Sequence, residues 1–168
     1  MKKIIAVILI AVCILSLASC GNEKVTKITK SVSAIKETLS AKFDLSDLDL
    51  LTNEDENSSN LLFLFGVNSG ILENVDSYFI TNTHRSTDAR AIAVFKLKDD
   101  APAEAVEALK KGINDTFLTN LVNMTATYDP EQAKIVNAAN FREYDNALVF
   151  VSYDTEGNEA VYNAIEGK

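Results

Sequence analysis

Tryptophan is absent from the 168 residues, and histidine occurs once, as His84. A Ser-His-Asp triad would have to use that histidine, and no G-x-S-x-G elbow accompanies it. Neither a P-loop nor a G-x-G-x-x-G turn is present, which removes the common phosphate and dinucleotide cradles. Cysteine occurs only at Cys13 and Cys20, too few donors for an ordinary zinc site. No internal repeat or low-complexity tract interrupts the chain. His84, beside Arg85 and Asp88, reads either as a pH-sensitive contact in a loop or as plain loop surface. The sequence therefore supplies no catalytic residue, no metal site and no cofactor motif.

Long hydrophobic runs are equally scarce, with one exception. Lys2 and Lys3 precede Ile4–Ala18, an apolar stretch of about fifteen residues with a small-residue exit, which is the pattern of a secretory signal. It falls short of the roughly 20 residues that cross a bilayer as a stable helix. At its end, Leu17-Ala18-Ser19-Cys20 resembles the lipobox of bacterial lipoproteins. That resemblance implies cleavage before Cys20 and a diacylglyceryl group on its sulfur. Residues 1–19 are then a lipoprotein signal peptide, 20–23 a lipidated N-terminus with a short tether, and 24–168 one domain. Cys13 would leave with the signal, so no disulfide can form although the compartment permits one. Two acyl chains hold a protein on a membrane stably, where one binds only marginally. The expected location is the extracytoplasmic face of the cell membrane, with the bilayer itself as a partner through the lipid.

Charge is of mostly one sign. The chain carries 16 Lys and Arg against 24 Asp and Glu, a net charge of −8. Loss of Lys2 and Lys3 would leave 14 against 24, or −10. An acidic domain repels the phosphate backbone, so nucleic acid is not an expected partner. Between Gly21 and Phe43, however, five lysines (Lys24, Lys27, Lys30, Lys36, Lys42) face only Glu23 and Glu37. They could lie against anionic headgroups, at about 1 kcal/mol each, or simply form a solvated helix face. Residues 44–57 hold six acids and no base; calcium binding there lacks the EF-hand spacing and its glycine, and a solvated loop is the alternative.

Periodicity outlines the domain. Val25, Ile28, Val32, Ile35 and Leu39 predict an amphipathic helix over 24–42. Residues 46–60 read as a polar, turn-rich stretch, 61–67 as a short buried helical turn ended by Gly66, and Asn68-Ser69-Gly70 as a turn. Strands are expected over 75–83 and 89–98, joined as a hairpin through 83–88. The second strand places Ala91, Ala93, Phe95 and Leu97 on one face, Ile92 and Val94 on the other. A helix starts near Pro102, with Val106, Leu109, Ile113, Phe117 and Leu121 as its stripe. Asp129-Pro130-Glu131-Gln132 opens another as a capping-box variant. Strands at 140–144 and 147–153 flank a tight Asp145-Asn146 turn, and a helix over 156–166 turns Val161 and Ile165 inward. The order implies an α+β, two-layer sandwich: a four-stranded, mostly antiparallel sheet with helices on one face.

The lipobox, the amphipathic helix and the segments AIAVFKLKDDAPAEAVEALKK (91–111) and IVNAANFREYDNALVFVSYD (135–154) together resemble a family of small Gram-positive lipoproteins built on a domain of unknown function, the 4358 type. The resemblance implies no activity and no catalytic residues. Three functions stay open. The first is a non-catalytic binding or interaction module, with Tyr78, Ile80, Ile92 and Val94 as the candidate contact surface on the helix-free face. The second is an accessory subunit of an envelope or transport complex, with an envelope protein as partner. The third is a hydrolase pairing two acids from Asp76, Asp88, Glu143 and Asp154. No small-molecule ligand is legible. Replacing the anchor residue, Cys20→Ser, should abolish incorporation of labelled fatty acid and release the protein or its uncut precursor from the membrane lipoprotein pool; undiminished label would refute the lipobox assignment.

Overall fold

The computed structural model describes residues 26–55, 58–83, 88–120 and 129–168. Five strands form one sheet: β1 (Leu48–Thr52), β2 (Val75–Thr83), β3 (Ala91–Leu97), β4 (Asn140–Tyr144) and β5 (Ala147–Ser152). Their order is β1-β2-β3-β5-β4, and every neighbouring pair is antiparallel. The helices are α1 (Val32–Lys42), α2 (Ser58–Leu64), the single-turn α3 (Ser69–Leu72), α4 (Ala103–Gly112) with a π-helical continuation (Ile113–Leu118), α5 (Pro130–Ala138) and α6 (Thr155–Glu166). The α+β class and the antiparallel sheet agree with the sequence reading. The strand count is five, not four.

β3 sits at the centre, and its sequence decides how the sheet is covered. Ala91 through Phe95 are all fully buried. Alternation sends Ala91, Ala93 and Phe95 to one face and Ile92 and Val94 to the other. A strand that is apolar on both sides needs a cover on both sides. On the first face Tyr78, Ile80, Leu148 and Phe150 join Phe95 beneath Leu62, Leu109, Ile113, Phe117 and Val136 from α2, α4, the π turn and α5. On the second, Phe79, Val149 and Val151 join Ile92 and Val94 beneath Val32, Ile35 and Leu39 of α1 and Val161, Tyr162 and Ile165 of α6. The arrangement is three layers, helices on both faces, which replaces the expected two-layer sandwich.

The expected contact surface is corrected by the same packing. Ile80, Ile92 and Val94 are fully buried and Tyr78 is nearly so. They do not even share a face: Tyr78 pairs with Phe95 and Ile80 with Ala93, whereas Phe79 and Thr81 lie opposite Val94 and Ile92. Neither set offers a surface to a partner.

Other departures are local. The N-terminal helix starts at Val32, not near residue 24, because the Ser31 hydroxyl caps it by accepting the Ala34 N–H at 3.2 Å. Ahead of it, the Ile28 N–H donates to Asn146 Oδ1 and the Ile28 carbonyl accepts from Asn146 Nδ2, each at 3.0 Å. Those groups are thereby withdrawn from helix formation, although Ile28 stays in the core with Val32, Ile35 and Leu39. β1 emerges from the stretch read as turns; it is an edge strand, LDLLT, whose middle three residues are all half-buried, so it shows no clean period-2 alternation. Asn68 proves to be the cap of α3, accepting the Ile71 N–H. Leu121 lies outside the described residues.

Phe95→Ala should cost about 3–5 kcal/mol in a urea titration. Val94→Asp should go further, since it places an unpaired carboxylate between two apolar layers. Its expected outcome is loss of the cooperative unfolding transition, and a normally folded Val94→Asp protein would contradict the two-sided cover.

Candidate functional site

The residues proposed from sequence scatter into separate structural roles. Cys20, His84 and Arg85 lie outside the described residues. Asp88 receives the Arg90 guanidinium, 2.8 Å from Nη2 and 3.2 Å from Nε. That hydrogen bond holds the arginine above its ordinary pKa against partial burial. Asp154 caps α6 by accepting the Gly157 N–H at 2.7 Å. Glu143 receives Lys110, which Glu107 also meets at 3.1 Å. Asp76 accepts from the Ser77 hydroxyl. Among the described residues, no group of three or more His, Cys, Asp and Glu is placed to hold a metal ion.

The acidic stretch is likewise put to local use. Asp44 accepts both the hydroxyl (2.7 Å) and the N–H (3.1 Å) of Ser46, and these bonds lower its pKa. Asp55 accepts the Thr52 N–H at 2.6 Å and the Thr52 hydroxyl at 3.1 Å, closing the turn after β1, with its pKa also lowered. Of the lysines, Lys30 donates to the Ala164 carbonyl at 2.8 Å, and Lys36 stands 3.9 Å from Asp55.

Two features were not anticipated. The first is a carboxylate hub at Glu166, on the last turn of α6. Arg142 Nη1 reaches its Oε1 at 2.9 Å, the Tyr144 hydroxyl at 2.7 Å, and Lys168 Nζ stands 2.6 Å from Oε2. Glu159 takes the other Arg142 nitrogen, and the guanidinium lies 3.9 Å over the Tyr162 ring. Burial opposes the charge on Glu166, but Lys168, Tyr144 and Arg142 outweigh it and hold its pKa below the usual carboxylate value. Burial and the adjacent Glu166 push the Tyr144 phenol up. The spacing carried a signal: Arg142 and Tyr144 share one face of β4, and Glu159 and Glu166 are seven apart on α6. This cluster fastens the edge strand β4 to α6.

The second feature is apolar and exposed. Phe63 is 76 % exposed and Leu64 45 %. They stand at the end of α2, beside a cleft of about 340 Å³ lined by Phe63, Gly66, Val67, Asn68 and Thr116. Its floor is built by backbone contact. Gly66 has φ +69°, and a Cβ there would overlap the Gly112 carbonyl oxygen. A Cβ on Gly112 would stand 2.6 Å from the Gly66 carbonyl oxygen. Without side chains at either position, the α2 turn settles onto the start of the π turn, and Phe65 stacks on Phe117 at 4.3 Å. A π turn inserted in an α-helix frequently marks a functional position. The sequence reading took 61–67 as buried throughout; Phe63 and Leu64 are instead turned out, because Leu62 and Phe65 take the inward positions.

Fold and site together define the class: an α+β domain whose antiparallel sheet is sealed on both faces and whose exposed apolar surface lies at a helix corner. The chain belongs to the family Domain of unknown function (DUF4358), whose model matches residues 46–153. The match takes in the whole sheet and the helices of its first face, while α1 and α6 lie outside it. Comparison with curated proteins and with solved structures finds no match.

Glu166→Gln should lower stability by about 1.5–3 kcal/mol, the range for hydrogen bonds to a charged group. Because the native carboxyl titrates below its unfolded value, its contribution is present at neutral pH and is lost progressively as the pH falls from the usual carboxylate value through the lowered native one. The gap in urea midpoint between the wild type and Glu166→Gln should therefore be wider at pH 7 than at pH 3; a gap that does not narrow at the lower pH would rule out the hub's charge as the source.

Proposed function

We propose that the protein is a lipid-anchored, extracytoplasmic domain that works by binding a protein of the cell envelope, without chemistry of its own. The observation that carries the binding reading is the exposure of Phe63 next to the Gly66–Thr116 cleft. A large aromatic turned to water is costly unless something covers it, and exposed apolar patches mark contact sites. The cleft has room for one or two apolar side chains, and a rigid backbone floor holds it open without loss of side-chain entropy on binding. The Leu17–Cys20 lipobox and the preceding apolar run support the anchor. No helix among the described residues is long and apolar enough to cross a membrane.

Phe63→Asp tests this reading. The position is on the surface, so the variant should keep its urea midpoint within about 0.5 kcal/mol of the wild type. Cells treated with a membrane-impermeant crosslinker should lose the protein's crosslinked partner band in the variant. An unchanged band would place the contact elsewhere.

A further inference from the structure

We propose that the end of the sheet bearing the Asp145-Asn146 turn is the membrane-facing end of the domain, held toward the lipid surface by a short, clamped tether. The inference rests on the reading of Cys20 as the lipid anchor and concerns which surface meets the bilayer.

The clamp is the starting point. Asn146 holds Ile28 by two hydrogen bonds of 3.0 Å, the Asp145 N–H donates to the Thr26 carbonyl at 2.7 Å, and Lys96 Nζ reaches the Lys30 carbonyl at 3.1 Å. Ile28 itself is buried. Thr26, the first described residue, is therefore fixed on the β4–β5 turn. The same end carries the start of β2 and the end of β3, since Val75 pairs with Leu97 and Lys96 with Ala147. From Thr26 back to Cys20 there are six Cα–Cα steps, at most about 20 Å whatever the conformation. The seven residues of β3 run away from this end over about 20 Å. Leu48 pairs with Thr83 and Ala91 with Ser152 at the far end, so Asp47 and Arg90 stand roughly one sheet length further from the anchor.

Charge does not make the choice. Lys27, Lys96 and Lys98 share this end with Asp76, Asp99, Asp100 and Asp145, a mixture of both signs. One attachment point lets the body tilt, but a reach comparable to the sheet's own length keeps the clamped end nearest the bilayer. The loops around Asp47 and Arg90 then face outward.

The absence of tryptophan makes the test direct. One buried cluster begins at Ile28 and the other at Leu62, so the chain from Cys20 onward retains both. Its Cys20 thiol is its only one and can be coupled to a maleimide lipid in phosphatidylcholine vesicles carrying a dansyl headgroup acceptor. Asp99→Trp and Lys98→Trp report the turn end; Asp47→Trp and Lys42→Trp report the far end. Energy transfer should be at least twofold stronger from the first pair. Equal transfer, or stronger transfer from the second pair, overturns the orientation. Inserting a long Gly-Ser segment between Val25 and Thr26 should bring the ratio toward one, and a ratio that survives insertion overturns the tether as its cause. Chemical coupling makes these outcomes independent of native lipidation, which fatty-acid labelling of Cys20 tests separately.

Discussion

The structure depends on the two-sided burial of β3. Five consecutive residues, Ala91 to Phe95, are removed from water, and no arrangement with a bare sheet face can achieve that. The rest follows as supply of cover. Residues 58–138 furnish the helices of one face; α1 and α6, from opposite ends of the chain, furnish the other. Each methylene sealed in this way contributes about 0.8 kcal/mol, so the second cover outweighs any single polar contact in the molecule.

Because α1 and α6 come from the two ends, something must hold them in place on the same face. Lys30 Nζ bonds the Ala164 carbonyl, joining the approach to α1 with the last turn of α6. Glu166 then ties α6 to β4 through Arg142 and Tyr144, and Asn146 ties the segment before α1 to the β4–β5 turn. The polar contacts thus sit around the rim of an apolar layer, where partial exposure lowers their desolvation cost. The family match leaves out both α1 and α6 while covering the sheet they seal.

The exposed corner at Phe63 arises on the other face from a different constraint. Two glycines without side chains let backbone meet backbone, and the π turn that follows sets Phe117 against Phe65. With Leu62 and Phe65 inward, helical geometry leaves Phe63 no inward position. Exposure there is a consequence of tight packing beside it, and it supplies the surface through which binding is proposed.

Much of this fold was legible in the sequence by itself. Hydrophobic periodicity located β2, β3, β4 and β5 to within a few residues, and the Asp129-Pro130 start of α5 was announced by its cap, with Asp129 accepting the Glu131 N–H at 2.9 Å. The α+β class followed from element order. Alternation along β3 told which residues share a face, since side-chain direction in a strand is a local property. Of the candidate site little was legible. Whether the face with Ile92 and Val94 meets water, whether 26–31 is helical, and which of LLFLFGV turns outward depend on partners more than a hundred residues away in sequence or on another helix. Asn146 withdraws the Ile28 backbone from a helix that periodicity favours, and α1 with α6 covers a face that element order left bare. Sequence settled direction and local conformation because those are governed by neighbours along the chain; only the tertiary structure decided exposure, because burial is a property of what else comes to lie against a residue.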